Sequence, residues 1–370
     1  MIYKKFQNIN VSSLGMGAMR LPVKENEQGT PIDREKAQEL IDYAISHGIN
    51  YFDTAYIYHD GESESFLGQA LLKYPRDSYY IADKFNLHAN PDYKAQFAEQ
   101  LSRLQTNYID FYLLHGIQDH IVDTFLSNGC VEYFEELKKS GKIRYLGFSF
   151  HGSPKVLKRV MEERSWDFVQ IQLNYYDWTY NDAEELYDIL EEYNVPVIVM
   201  EPVHGGRLAS LTPEADALLL EAEPEKSISS WAMRWVMSLP NVLVTLSGMS
   251  NEEQLRDNIG TFEENKPLTE QQKELLIKAS DLYRPSVSVA CTGCRYCCSD
   301  CPKELDIPRL LSIYNKVKMS GVWRLSFLEA LEEEKRPPAC IGCNACQKQC
   351  PQNIDISAHM KEMTELLSSH

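Results

Sequence analysis

The sequence predicts an α/β protein, a (β/α)8 barrel over residues 1–280 followed by a small, mainly α-helical domain over 281–370. Three observations carry the prediction. Between about residues 11 and 260, eight short apolar runs alternate with amphipathic stretches, the pattern of strands buried on both faces under helices. Nine of the ten cysteines crowd into residues 291–350, with only Cys130 elsewhere. Polar residues capable of proton chemistry stand at the ends of consecutive apolar runs, where a barrel of this kind gathers its site.

The strand candidates come in order: "SSLGMGAM" from 12, "INYFDTA" from 49, "YYIADKF" from 79 and "IDFYLLH" from 109. "YLGFSF" from 145, "FVQIQLNY" from 168, "PVIVMEP" from 196 and "VLVTLSG" from 242 complete them. Helical patterns lie between, among them "DREKAQELIDYAISHG", "VEYFEELKKSGK", "AEELYDILEEYN" and "SISSWAMRWVMSL". Several close on Gly or Asn, residues that accept the left-handed conformation past a helix end. Eight strand–helix units make a TIM barrel. An open doubly wound sheet is the alternative, but no G-x-G-x-x-G opens the first helix. Residues 261–290 read as a last helix and an extended connection. Residues 306–338, between the two cysteine runs, have a mostly helical pattern.

Apolar residues make up 44% of the chain, enough for a large core, yet no run reaches the length of a membrane span. The start, "MIYKKFQNIN", leads into no apolar run with a cleavage site, so the protein reads as cytoplasmic. The net charge is −17, and all of the excess lies before residue 285; beyond it acidic and basic residues both number 10. Such a surface repels nucleic acid and anionic membranes. Solubility is the plain account of it, attraction of a basic partner the sharper one.

Clustered thiols in a reducing compartment point to metal rather than disulfides. Cys291, Cys294, Cys297 and Cys301 are spaced C-x2-C-x2-C-x3-C-P, and Cys340, Cys343, Cys346 and Cys350 repeat the spacing. The match extends outward, "ACTGCRYCCSDCPKELDI" against "ACIGCNACQKQCPQNIDI". Three thiolates in such a loop can wrap one face of a cubane, and the fourth must come from farther away. Zinc is the alternative, although its sites usually pair two C-x2-C units. The segment resembles two-cluster ferredoxins, in which the fourth Cys of each run serves the other cluster. That resemblance implies one [4Fe–4S] cluster on Cys291, Cys294, Cys297 and Cys350. It implies a second on Cys340, Cys343, Cys346 and Cys301. Cys298 has no counterpart, since Gln347 holds that place, and reads as a packed thiol.

Asp53 and Tyr58 flank the end of the second strand candidate, Lys84 ends the third and His115 the fourth. Taken singly, these are a buried ion pair and a core histidine. Taken together, they form a coherent set. A lysine cation lowers the pKa of a neighbouring tyrosine, and a carboxylate would hold that lysine in place. A neutral histidine could donate a hydrogen bond to a carbonyl oxygen gaining charge, while the tyrosine protonates it. The missing ingredient is a hydride donor.

Here the region from about 3 to 280 resembles the aldo-keto reductases. "FDTAYIYHDGESE", "ADKF", "FYLLHG", "GFSFHG", "VQIQLNYYD", "MEPVHGGRL" and "LSGMSNEEQLRDNIG" occur in that family's order. The resemblance implies a catalytic tetrad of Asp53, Tyr58, Lys84 and His115, with NADP(H) across the barrel mouth and a small carbonyl or alcohol as substrate. It places Ser149 and Gln170 at the carboxamide, and Glu201, Pro202 and Arg207 beside the pyrophosphate. "SNEEQLRDNIG" is particularly close to the adenosine-binding segment of potassium-channel β-subunits, a branch of the superfamily, and nominates Ser250, Gln254, Asp257 and Asn258. Departures from the family pattern leave NAD(H) as the alternative. Phe150 stands for a carboxamide-binding Asn, and Met200 for an aromatic stacking on the nicotinamide. Gly248 and Gln254 stand where several members hold the 2′-phosphate with Lys and Arg. Met19, Asn86 and Gly116 replace pocket tryptophans, which implies a more open or more polar pocket. Arg20 beside it reads as a surface arginine or as a partner for a substrate carboxylate.

The whole chain resembles the ferredoxin-fused aldo-keto reductases of anaerobic microbes. Three readings stay open. The clusters hold the C-terminal domain together or sense redox state, or they relay single electrons to a substrate or redox protein partner, with a flavin if one is bound. In the third, the barrel senses nucleotide and regulates a partner.

Overall fold

The computed structural model describes residues 1–24, 31–289, 291 and 293–370. Two compact units emerge, one made of Met1–Val203 with Glu225–Glu274, the other of His204–Pro224 with Leu275–His370.

In the first unit, strands β1 (Tyr3–Phe6) and β2 (Ile9–Ser12) form an antiparallel hairpin. Eight further strands follow: β3 (Leu14–Gly17), β4 (Tyr51–Asp53), β5 (Tyr80–Phe85), β6 (Ile109–Ile117), β7 (Ile143–Phe150), β8 (Phe168–Gln172), β9 (Val197–Met200) and β10 (Val242–Ser247). They close into a barrel in the order β10-β3-β4-β5-β6-β7-β8-β9, each neighbour parallel. All eight fall within or across the apolar runs anticipated from sequence. Their residues are almost wholly buried, as expected for strands walled by side chains inside and helices outside.

The helices start where local chemistry directs. Arg34–Ser46 is capped by Asp33, whose carboxylate accepts from the Lys36 N–H, and Ile228–Met237 by Ser227, which accepts from Ser230. Asn194, with φ of 55°, ends the helix Ala183–Glu192 in the left-handed region. Gly147 is required on β7, since a Cβ there would sit 2.4 Å from the Phe168 carbonyl oxygen.

The hairpin was not legible in sequence, because four-residue strands carry too little pattern. It plugs the N-terminal end of the barrel. Phe6 stacks on Phe111 at 5.7 Å and meets Tyr145 edge-on at 4.8 Å, in a buried cluster with Tyr51, Phe168 and Leu243. The opposite end is left for function.

The second unit contains helices Ile307–Ser320 and Ile356–Ser368 around the two cysteine runs. The segment anticipated as an extended connection is instead the end of a long helix, Glu270–Val287, which continues through Pro285. Residues 204–224 group with this unit; the Tyr283 hydroxyl donates to the Arg207 carbonyl and His204 Nε2 lies 2.8 Å from Ser320 Oγ. Among the described residues, no helix is long and apolar enough to cross a membrane.

Candidate active site and metal centres

Strands β4, β5 and β6 are adjacent, so Asp53, Lys84 and His115 near their C-terminal ends meet at one mouth, with Tyr58 on the turn that follows β4. The Lys84 ammonium donates to Asp53 Oδ1 at 2.6 Å and to the Thr54 carbonyl at 2.6 Å. It sits 5.0 Å from the centre of the Tyr58 ring. The Tyr58 and His115 rings are edge-to-face, 6.0 Å apart. Directly after Tyr58 the chain passes through three left-handed residues, His59, Asp60 and Gly61. For the first two this costs about 1–3 kcal/mol each, strain held only where surrounding packing dictates it.

The electrostatics follow from burial. Burial pulls the Lys84 pKa down, but Asp53 and Tyr58 outweigh it and the ammonium is held above its ordinary range. Burial raises Asp53 against the pull of Lys84. Burial also raises the Tyr58 hydroxyl, and Lys84 only partly offsets this. Lys84 does lower this tyrosine, as expected, but the net shift is upward, because desolvation exceeds the charge–charge effect. His115 is pulled down to about 3, first by burial and then by Lys84, so its ring is neutral at any working pH. The set can hold a proton on the tyrosine oxygen beside a fixed cation and an uncharged imidazole.

A layer beneath this set carried no sequence signal. Asp83 accepts from the Lys84 N–H at 2.8 Å. Gln100 donates to both the Lys84 carbonyl and Glu64 at 3.0 Å, and Arg103 pairs with Glu64 at 2.8 Å. Burial, then the neighbouring Glu64, pushes the Asp83 carboxyl well above its ordinary value. These contacts clamp the Lys84 backbone from behind.

The residues nominated for nucleotide divide. Ser149 and Gln170 are register partners on β7 and β8. Ser149 Oγ accepts from the Gly116 N–H at 2.7 Å, whereas Gln170 Oε1 is buried without a hydrogen-bond partner. A buried unpartnered amide oxygen on β8 fits a ligand donor group such as a carboxamide. Glu201 adopts φ of 55° before Pro202, and its carbonyl accepts from Asn174 at 3.2 Å. Arg207 is exposed and belongs to the second unit. Ser250 and Gln254 are exposed around the start of helix Glu252–Glu264, where Ser250 N–H donates to Gln254 Oε1 at 2.8 Å. Asp257 instead accepts from Ser227 and Ser229 at 2.7 and 2.9 Å, and Asn258 donates to Ser247 at 3.0 Å. Those two brace neighbouring elements.

In the second unit the duplication reaches the backbone. Left-handed residues recur at Gly293, Arg295 and Glu304 and again at Gly342, Asn344 and Asn353, each pair 49 residues apart. Asp306 and Asp355 cap the two helices at the same offset. Among the described residues, no three His, Cys, Asp or Glu close on a single ion. The fold makes two cavities instead. One is lined by Cys301 with Cys340, Cys343 and Cys346. The other is lined by Cys350 with Cys291, Cys294 and Cys297. Each therefore draws three thiols from one run and one from the other, a donor set that fits a [4Fe–4S] group. The Leu305 N–H also points at Cys301 Sγ at 3.4 Å. Cys298 lines neither cavity and packs against the unit's apolar core.

Residues 13–280 match the aldo/keto reductase family model and residues 290–355 the 4Fe-4S dicluster domain model. The uncharacterized oxidoreductase YqkF of Bacillus subtilis (strain 168) is 30% identical over 313 residues, covering 74% of this chain and 96% of its own. L-galactose dehydrogenase of Arabidopsis thaliana is 26% identical, over 72% of this chain and 89% of its own. Among solved structures, the holo form of aldo-keto reductase AKR11C1 from Bacillus halodurans is 29% identical, with a TM-score of 0.63 over 75% of this chain and 96% of that one.

Proposed function

The chain belongs to the aldo/keto reductase family, and from that premise we propose that it interconverts a small carbonyl and its alcohol with Tyr58 as the general acid and base. The observation that carries the proposal is the buried Asp53–Lys84 pair at 2.6 Å with Tyr58 and His115 beside it. Bound NADP(H), or NAD(H), supplies or accepts the hydride at the carbonyl carbon. In reduction Tyr58 gives its proton to the carbonyl oxygen, and in oxidation it takes the proton back. Lys84 stabilises the phenolate formed between turnovers, Asp53 keeps Lys84 charged and in place, and His115 donates a hydrogen bond to the carbonyl oxygen. Ser149 and Gln170 hold the carboxamide, with Glu201 and Pro202 along the pyrophosphate. Ser250 and Gln254 take the adenosine end, with Asp257 and Asn258 bracing that segment.

The family match ends at 280 and the dicluster match begins at 290, which supports a functional division near 280. The second domain holds two [4Fe–4S] clusters, on the crossed sets Cys291, Cys294, Cys297, Cys350 and Cys340, Cys343, Cys346, Cys301. Cys297 and Cys346 belong to that unit's buried core, which supports a structural role for the clusters. A second reading, exchange of single electrons with a redox protein, is favoured by the exposure of Cys294 and Cys343, one in each set.

The test begins with anaerobic purification, iron and sulfide assay, and a panel of carbonyls with both nicotinamides. Tyr58→Phe loses carbonyl reduction by about 10²–10⁴-fold while still binding nucleotide; full activity in that variant ends the assignment. Bleaching of the cluster absorbance by NADPH within turnover time favours the redox reading. An unchanged spectrum beside normal carbonyl reduction favours the structural one.

A further inference from the structure

We propose that Asn86 is a positioning residue that sets the tautomer of His115, keeping its single proton on Nε2. The consequence for catalysis rests on the reading of His115 as a donor to the substrate oxygen; the assignment of the proton does not.

Asn86 directly follows β5 and is clamped on both sides. Its N–H donates to Gln96 Oε1 at 2.7 Å and its carbonyl accepts from Gln96 Nε2 at 3.0 Å. Its side-chain Oδ1 accepts from the backbone N–H groups of His88 and Ala89 at 3.1 and 2.9 Å. Those two donors identify which end of the amide is oxygen. The reverse orientation would set the NH2 group against two N–H groups and lose both bonds. The nitrogen end therefore faces His115, with Asn86 Nδ2 3.4 Å from His115 Nδ1.

An amide nitrogen offers only hydrogens. His115 Nδ1 must meet it with a lone pair, and a neutral imidazole has a single N–H to place. The ring is neutral, for its pKa is pulled down to about 3. The proton therefore resides on Nε2, the nitrogen left to serve a ligand. With the other tautomer, Nε2 would present a lone pair to a carbonyl oxygen and repel it. No residue nominated from the sequence does this work, since Asn86 reads there only as the occupant of a missing pocket tryptophan's place.

The experiment uses the full-length protein. Long-range 1H–15N correlation on histidine-labelled protein reports the tautomer directly, with the His115 signal identified by its loss in His115→Gln. The wild type shows the Nε2–H pattern. Asn86→Asp keeps the shape of the side chain but puts an acceptor against Nδ1, so His115 gains an Nδ1–H and its pKa rises. In that variant kcat for carbonyl reduction falls about 10²–10³-fold, with the KM for nucleotide unchanged. The rate recovers as pH falls, because the imidazolium carries a proton on both nitrogens. A role confined to folding would produce neither the exchange of tautomer nor this recovery. An Nδ1–H signal in the wild type, or an Nε2–H signal unchanged in Asn86→Asp, overturns the inference. A tautomer that switches while kcat holds supports the role of Asn86 and overturns instead the donor role of His115.

Discussion

Lys84 Nζ lies 2.6 Å from Asp53 Oδ1 inside the barrel mouth, with the lysine fully shielded from solvent and the aspartate 3% exposed. A charge pair so placed is conditional. Each ion was costly to desolvate, and each is tolerable only beside the other. Asp53→Asn therefore leaves a buried cation with one carbonyl for company. Loss of about 3–5 kcal/mol of stability is expected, read from denaturant unfolding, together with loss of carbonyl reduction. Lys84→Met is expected to destabilise less, because Asp53 can take up a proton once its cation is gone.

The pH dependence of reduction follows from the directions of two shifts. With Tyr58 as the proposed acid in that direction, reduction is expected to be lost as pH rises through its pKa. Burial raises that pKa above the ordinary 10.0, which keeps the alkaline limb beyond about pH 9. His115, drawn down to about 3, contributes no limb near neutrality. A kcat profile for reduction measured from about pH 5 to pH 9 is expected to be flat; a break near 6.5 would show His115 titrating as an ordinary histidine.

The same histidine bears on stability. Its folded pKa lies below its ordinary value of 6.5, so the unfolded chain binds the proton more readily. Its contribution to folding is complete above pH 6.5 and is lost progressively between 6.5 and about 3. Unfolding midpoints of the wild type should therefore drop more steeply than those of His115→Gln across that window.

The crossed cavities make a directional prediction for the cysteines. Cys301→Ala removes a thiol from the cavity shared with Cys340, Cys343 and Cys346. On the proposed crossed ligand sets, the cluster lost first is expected to be the one whose other ligands lie about 40 residues downstream. Iron and sulfide should fall by about half, and Cys350→Ala should do the same to the other centre. Cys298→Ala is expected to leave the iron content unchanged, since that thiol lines neither cavity.

Phe6→Ala tests the plug at the far end of the barrel. Phe6 is 6% exposed and packed against Phe111 and Tyr145. Truncation should cost about 3–5 kcal/mol, visible in thermal or denaturant unfolding, with no effect on nucleotide affinity under conditions where the barrel is folded.

What the amino-acid order determined by itself is what depends on neighbours along the chain. The eight strands announce themselves as apolar runs because both of their faces are buried. The cysteine spacing specifies a metal-binding loop because three thiols two residues apart can turn toward one object. The placement of Asp53, Lys84 and His115 at strand ends was likewise a matter of counting along each run. Tertiary structure decided the rest. The apolar value of β1 and β2 appears only when Phe6 finds Phe111, more than 100 residues away. The sign of the Tyr58 shift depends on burial outweighing Lys84, and desolvation is a property of the packed site. The orientation of the Asn86 amide, and with it the proton on His115, is settled by backbone donors and a ring 29 residues away. Contacts across such distances exist only after the chain closes, because their partners are brought together by the barrel and not by the covalent sequence.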